Sequence, residues 1–388
     1  MLGVLGGGQL GRMWSHAAQS LGYRTAVLDP DAHSPAGWVS HVHVCADYLD
    51  PQGLAQMAAQ CQAITTEFEN VPAEALRQLG LSLPCAPGAE PVAVAQDRAR
   101  EKAHFVACGV PVAPHAVLHS EADLLSVSPD LLPGILKTTR LGYDGKGQVR
   151  VASLGDLPAA FQSLQTAGSA TVCILEKRLP LAAECSVVLA RGFDGQMVHL
   201  PVQLNLHRDG ILALTEVFEN ALPAATEQQA VQAAYEVARG LNYVGVLCVE
   251  FFLLQDGPER RALGPLVVNE VAPRPHNSGH HSIDSCDVSQ FELQVRCMAG
   301  LPLVQPRLHS ASVMLNLLGD LWIANGTQAT EPPWASVLAL PGVHLHLYGK
   351  TEARRGRKMG HLTITAASPD TAKHVALQAA QLLGIAAW

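Results

Sequence analysis

Two apolar runs in the second half of the chain carry acids where a plain core strand would not. YVGVLCVEFFLL holds Glu250, and PLVVNEVAPRPHNSGHH holds Asn269 and Glu270. A carboxylate buried alone is very costly, so its burial has to be offset by a partner, a proton or a metal. Two carboxylates and an amide converging from adjacent strands suit a hard, oxygen-preferring cation, above all Mg²⁺, which usually holds nucleotide phosphates as well. Arg274, His276, Asn277 and Ser278 follow at once in a Pro/Gly-stiffened loop, where binding groups tend to be displayed. Together these describe a metal–phosphate site beside an anion site. The bland alternative is a pair of strand-end glutamates facing solvent.

A second group lies in GILKTTRLGYDGKGQVRV. A strand delivers Lys137, a loop follows with Gly142, Gly145 and Gly147, and a return strand begins near Gln148. Such a hairpin, carrying Asp144 and Lys146, can fold over phosphates with backbone N–H groups and charge. The G-x-x-x-x-G-K-[ST] order is absent, so it is not a P-loop; the alternative is a surface hairpin with D-G turn chemistry. Lysines number only seven, at 102, 137, 146, 177, 350, 358 and 373, which makes a lysine in a glycine-rich loop more informative. TVCILEKRL then reads as a hinge strand ending in Glu176 and Lys177, and Glu184 and His207 stand in the hairpins that follow.

At the N-terminus, LGVLGGG reads as a buried strand entering a glycine turn, and QLGRMWSHAAQSLG as the next helix. Gly6, Gly8 and Gly11 match the dinucleotide fingerprint, with Asp29 near the distance of a ribose contact. The same turn serves any phosphate at a helix N-terminus, or none. Glu67, Glu69 and Asn70 end the strand AITTEFENVP, where ligands bind in open α/β sheets; the alternative is a solvated loop.

The elements that must position these groups are β–α–β units at the start, a Pro/Gly-rich link over 84–91, and one amphipathic helix, AQDRAREKAHFVACG. A further domain of strands and helices follows from near residue 95, then a β-rich tail from about 306 carrying the basic cluster ARRGRK. The 388 residues, 48% apolar and 15% charged, describe an ordinary globular chain of two or three domains. A net charge of −8 argues against non-specific nucleic-acid binding. No apolar run reaches membrane-spanning length, and no signal-peptide pattern opens the chain. Nine scattered cysteines without a C-x-x-C pair read as small core residues of a reducing cytoplasm, and the histidine pair His280–His281 as loop.

The order of GGGQLGRM, TTEFENVP, KTTRLGYDGKGQ, NEVAPRPHNSGH and YGKTEARRGRKMGH resembles the ATP-grasp ligases. Within them it resembles the PurK-type 5-(carboxyamino)imidazole ribonucleotide synthases, over essentially the whole chain. The resemblance implies an α/β and α+β chain with an open parallel α/β domain over 1–95. An ATP-grasp domain over 96–305 would have its lid lobe at about 112–180, and a small β-rich domain would cover 306–388. The implied reaction joins ATP, bicarbonate and 5-aminoimidazole ribonucleotide through carboxyphosphate, with Mg²⁺ or Mn²⁺, in a cytoplasmic homodimer that takes neither nucleic acid nor membrane. Matched nucleotide positions are Arg98, Lys137, Gly142, Tyr143, Asp144, Gly145, Lys146, Gly147, Gln148, Glu176, Lys177, Arg178, Leu179, Glu184, His207, Asn269 and Glu270. Glu250 and Glu270 match the metal ligands. Gln9, Leu10, Glu67, Asn277, Ser278, Lys350, Arg354 and Arg357 match ribonucleotide positions, and Tyr143, Asp144, Lys146, Arg274 and His276 the catalytic region.

The chain departs from the family in having Lys146 where arginine is at least as common, and in the longer segment PERRALGP, expected as an exposed loop. Three alternatives remain. A formate-using ligase of the same superfamily is disfavoured by YGK…GRKMGH. An NAD-dependent reductase leaves the lid and the acid pair unexplained. A non-catalytic nucleotide-binding protein has no use for the metal acids.

Overall fold

The computed structural model describes residues 1–140, 147–165, 171–323 and 330–388. Strands β1 (Leu2–Leu5), β2 (Thr25–Leu28), β3 (Val42–Val44) and β4 (Ala63–Thr66) form a parallel sheet in the order β3-β2-β1-β4. Alternate side chains feed two cores. Leu2, Val4, Val27 and Ala63 pack on one face with Trp14; Leu5, Ala26, Leu28 and Ile64 pack on the other with Met57 and Leu76. Burial on both faces explains why these strands read as continuous apolar runs.

A second sheet, antiparallel, has the order β5-β8-β6-β7 from β5 (His115–Leu118), β6 (Gly134–Thr138), β7 (Gln148–Val151) and β8 (Cys173–Lys177). Lys137 stands opposite Gln148 across the β6–β7 hairpin.

The largest sheet begins with β9 (Leu181–Arg191), β10 (Met197–His199), β11 (Gln203–Arg208), β12 (Ile211–Val217), β13 (Gly245–Leu254) and β14 (Leu266–Ala272). Three further strands, β15 (Ala311–Leu318), β16 (Val343–Leu347) and β17 (Lys358–Ala366), join it. Its order is β14-β13-β9-β11-β12-β15-β17-β16, with β10 on β9. The β-rich tail therefore continues the central sheet through β12 and β15, while keeping a core of its own under the helix Pro369–Leu383.

Local details differ from the sequence reading. The expected helix from residue 95 begins at Arg98 and runs to Ala107, and the Pro/Gly-rich link over 84–91 gives way to a further short helix, Ala89–Ala95. Asp97 separates them because its carboxylate accepts the Ala99 and Arg100 N–H groups as an N-cap. PERRALGP is a short helix, Pro258–Leu263, whose Glu259 pairs with Lys177 at 3.3 Å. His280 and His281 are buried rather than displayed: His280 packs on Phe291, Tyr348 and His361. The helix Gln290–Ala299 touches both large units. Phe291 and Val295 join the first sheet's core, and Leu293 and Cys297 a core under β9 and β13. Among the described residues no helix is long and apolar enough to cross a membrane.

Candidate active site

The glycine turn is already filled by protein carboxylates. Gly7 N–H donates to Asp29 Oδ2 (2.7 Å), and Gly8 and Gly11 N–H donate to Glu67 Oε1 (2.6 Å) and Oε2 (2.9 Å). These are the donors a pyrophosphate would need. Gly6, at φ +104°, is glycine because any Cβ there would overlap the Glu67 side chain. The turn thus holds an acid that can receive hydroxyl groups, which removes the basis for a dinucleotide. Burial raises the Glu67 carboxyl above the usual range, with the Gly11 and Gly8 N–H groups opposing the shift and the Lys350 charge helping them.

Across the cleft, Glu250 of β13 and Glu270 of β14 stand directly opposite, so their side chains are close neighbours. The register then slips, and Phe251 pairs with Val268, leaving Asn269 as an extra residue on β14. This bulge re-aims consecutive side chains, and Asn269 and Glu270 both line the same cleft. His276 Nε2 meets Glu250 Oε1 at 2.9 Å, and Arg98 Nη1 meets Glu270 Oε2 at 3.0 Å. Burial pushes Glu250 up, but the charge and hydrogen bond of His276, helped by His207, outweigh it and hold it low. An opposed carboxylate pair, each member with a second oxygen outside these two contacts, fits an oxygen-seeking divalent cation.

Further side chains come from the second sheet and from β9 and β11 of the large one. Lys137 Nζ lies 3.1 Å from Glu176 Oε2, and Glu184 pairs with His207 at 2.9 Å. Burial raises Glu176, while the charges of Lys102 and Lys137 bring it down to about 2. Arg98, Lys137, Gln148, Glu184, His207, Glu250, Asn269, Glu270, Arg274, His276 and Asn277 all line one cleft of about 500 Å³. Asn277 is 7% exposed, and neither its amide oxygen nor its amide nitrogen has a hydrogen-bond partner among the described residues, as befits a group kept for a ligand. Arg274 is bound by Glu69, whose carboxyl is raised by burial but brought down to about 2 by that guanidinium.

Other expected positions fall elsewhere. Gly142, Tyr143, Asp144, Gly145 and Lys146 lie outside the described residues, and Gly147 just follows them at φ +70°. The Leu10 and Leu179 side chains are buried in cores; of these two residues only the backbone can meet a ligand. Ser278 is fully buried and bonds His276 Nδ1 (2.9 Å) and Ser186 Oγ (2.8 Å), so it orients the imidazole. Gln9 opens the helix Gln9–Ser20 beside the filled turn. Arg178 is exposed, and Lys177 faces Glu259. Lys350 Nζ donates to Lys358 O (2.8 Å), while Arg354 and Arg357 are held by Glu352 outside the cleft lining. Sequence reasoning passed over Glu101, Arg150 and Lys358, which line the cleft, and Lys102 beneath it. The scarcity of lysine was the signal available for two of them.

One sheet carries Lys137 and Glu176, the other the opposed acids, and the class this division defines is that of the ATP-grasp ligases. A family model described as the ATP-grasp domain matches residues 103–291. The ribonucleotide synthetase preATP-grasp domain matches 1–96, and the phosphoribosylaminoimidazole carboxylase C-terminal domain 312–375. The N5-carboxyaminoimidazole ribonucleotide synthase of Brucella melitensis biotype 1 is 42% identical over 365 residues, covering 93% of this chain and 95% of that one. The crystal structure of the Thermus thermophilus synthetase superposes with a TM-score of 0.87 at 37% identity, covering 100% of both chains. The Aspergillus clavatus synthase in complex with ADP and 5-aminoimidazole ribonucleotide gives 0.85 at 29%, covering 99% of this chain and 98% of that one. The chain belongs to the N5-carboxyaminoimidazole ribonucleotide synthase family, ATP-dependent carbon–nitrogen ligases of purine biosynthesis.

Proposed function

We propose that this cleft carboxylates the amine of 5-aminoimidazole ribonucleotide with bicarbonate while ATP becomes ADP and phosphate. The observation that carries the reading is the register of Glu250 against Glu270, with His276 and Asn277 adjoining and Lys137 across the cleft. Bicarbonate attacks the γ-phosphorus, the bond to the ADP oxygen breaks, and carboxyphosphate forms. The substrate amine then takes the carboxyl carbon, phosphate leaves, and one proton is released.

Phosphoryl transfer of this kind asks for positioning and charge neutralisation. Lys137 supplies charge on the phosphates, and Arg98 and His276 orient the two acids. A Mg²⁺ or Mn²⁺ ion held by Glu250 and Glu270, with Asn269 beside them, would neutralise phosphate charge. Arg274, fixed by Glu69, faces the carboxyphosphate, and Asn277 the ribonucleotide. Glu67, with the backbone around Gln9 and Leu10, receives ribose hydroxyls; Ser278 acts through His276. Lys350, Arg354 and Arg357 serve the substrate phosphate. Glu176, Lys177, Arg178 and Leu179 form the adenine hinge, with Glu184 and His207 near the nucleotide. Gly142 to Gln148 cover the phosphates, with Tyr143, Asp144 and Lys146 orienting the amine and taking its proton. Carboxyphosphate hydrolyses readily, so excluding water has a clear use. The working form is a cytoplasmic homodimer, and the units divide at about 95 and 305.

The test is ADP release with bicarbonate, with and without aminoimidazole ribonucleotide, for the native chain and Glu270→Gln. Substrate-stimulated ADP release, reduced about 10²–10³-fold by the substitution, is the expected result. Turnover that requires formate instead of bicarbonate would sink the reading.

A further inference from the structure

The helix Arg98–Ala107 sends three side chains to one short stretch of β14. Arg98 reaches the Glu270 carboxylate at 3.0 Å, the Glu101 carboxyl accepts the Val271 N–H at 2.8 Å, and Lys102 Nζ donates to the Asn269 carbonyl at 2.8 Å. β14 is the outermost strand of its sheet, so its far edge presents backbone groups that β13 cannot reach. Two consecutive side chains of a helix therefore stand in for a neighbouring strand, on either side of Glu270. Further along the same edge, Pro111 O accepts the Val268 N–H.

Lys102 has a second partner. Its ammonium lies 3.6 Å from Glu176 Oε2, the oxygen that also receives Lys137. Asn269 belongs to the large sheet and Glu176 to β8 of the second sheet, so one ammonium joins the two sides of the cleft. The side chain is 2% exposed and is absent from the cleft lining, which leaves it no direct role toward a ligand. A buried ammonium is costly, and a purely mechanical filler between helix and strand would be apolar.

We propose that Lys102 is a positioning residue that couples the nucleotide-bearing strand β8 to the cation-bearing strand β14. With Glu101 it fixes the backbone around Glu270, and through Glu176 it makes that geometry depend on what β8 holds. Nucleotide and cation then strengthen each other's binding through the protein. The proposal rests on the reading that Glu250 and Glu270 hold a divalent cation.

The experiment is calorimetric: the dissociation constant of ADP with and without Mn²⁺, for the native chain, Lys102→Met, Lys102→Arg and Glu270→Gln. The ratio of the two constants is the quantity read. Lys102→Met is expected to reduce that ratio about tenfold, a usual size for coupling between sites. ADP affinity without metal and the KM for aminoimidazole ribonucleotide stay close to native, and Lys102→Arg recovers most of the ratio. Should Lys102→Met fail to fold, Lys102→Gln keeps a donor for the Asn269 carbonyl but no charge for Glu176, and the same fall is expected. A ratio that survives Glu270→Gln overturns the metal reading. A ratio lost in Glu270→Gln but kept in Lys102→Met and Lys102→Gln overturns the coupling alone.

Discussion

Three backbone N–H groups at the start of the first helix end on two carboxylates, Asp29 and Glu67. Glu67→Ala would strand two of those donors, and a buried unsatisfied group costs about 1–3 kcal/mol. Urea denaturation is expected to show a loss of that order. ADP affinity should stay native, because Glu67 lies outside the lining shared with Lys137 and Glu184, while the KM for the ribonucleotide rises. Equal losses for both ligands would contradict the assignment of this acid to the ribonucleotide. The glycine spacing was legible in the sequence, but its reason was not. Sequence can show that the backbone is approached closely there; it cannot show that a distant acid, Glu67, 59 positions from Gly8, does the approaching.

At the level of elements, strands and helices followed from alternation, periodicity and caps. Ser289 accepts the Glu292 N–H at 3.1 Å at the start of Gln290–Ala299, the helix that packs against both large units. Ser289→Ala is expected to cost about 1 kcal/mol, seen as a lower melting temperature with ADP affinity retained. A melting temperature unchanged by the substitution would show the cap idle. The bulge at Asn269 was not legible. A slip of register arises between two strands, and neither strand's own pattern records it. The start of the helix Arg98–Ala107 was readable in principle, since Asp97 before a helical run is an N-cap signal, but the amphipathic pattern running back to Ala95 masked it.

Across the whole molecule, buried histidines stand where the first sheet's core, the Gln290–Ala299 region and the last strands meet. His281 is fully buried, bonds Ser285 Oγ at 2.8 Å, and is held down to about 3 by burial. Burial also depresses His280 and His361, helped by the charges of neighbouring histidines. Arg12, His16, His276, Asp284, His344, His346, Tyr348 and Lys358 are among the ionisable groups around them. The unfolded chain binds these protons below the ordinary histidine value of about 6.5, and the native state does not. For His281 that contribution is therefore complete above pH 6.5 and lost as pH falls from there toward about 3, by about 1.4 kcal/mol per pH unit, and His280 and His361 act in the same direction. Urea denaturation between about pH 7 and 4.5 should show this decline, and His281→Asn should make it shallower by one proton. Parallel curves for the two proteins would count against it. A second tie is Gln294, whose amide bonds Thr65 Oγ1, Ala86 O and Val246 N–H. Gln294→Leu removes all three bonds and is expected to cost about 2–4 kcal/mol by the same denaturation measurement.

By itself the sequence determined the order of elements, the two apolar acid-bearing strands, the lysine hairpin and the family resemblance, because each rests on local spacing of residue types. Tertiary structure decided what crosses between elements. It set Glu250 opposite Glu270, placed Glu67 in the glycine turn, buried the side chains of Leu10, Leu179 and Ser278, and ran the C-terminal strands into the central sheet. It also brought Lys102, a lysine of the amphipathic helix to which no role was given, beneath the junction of two sheets. Pairing and burial depend on which distant residues share a neighbourhood, and spacing along one chain does not carry that information.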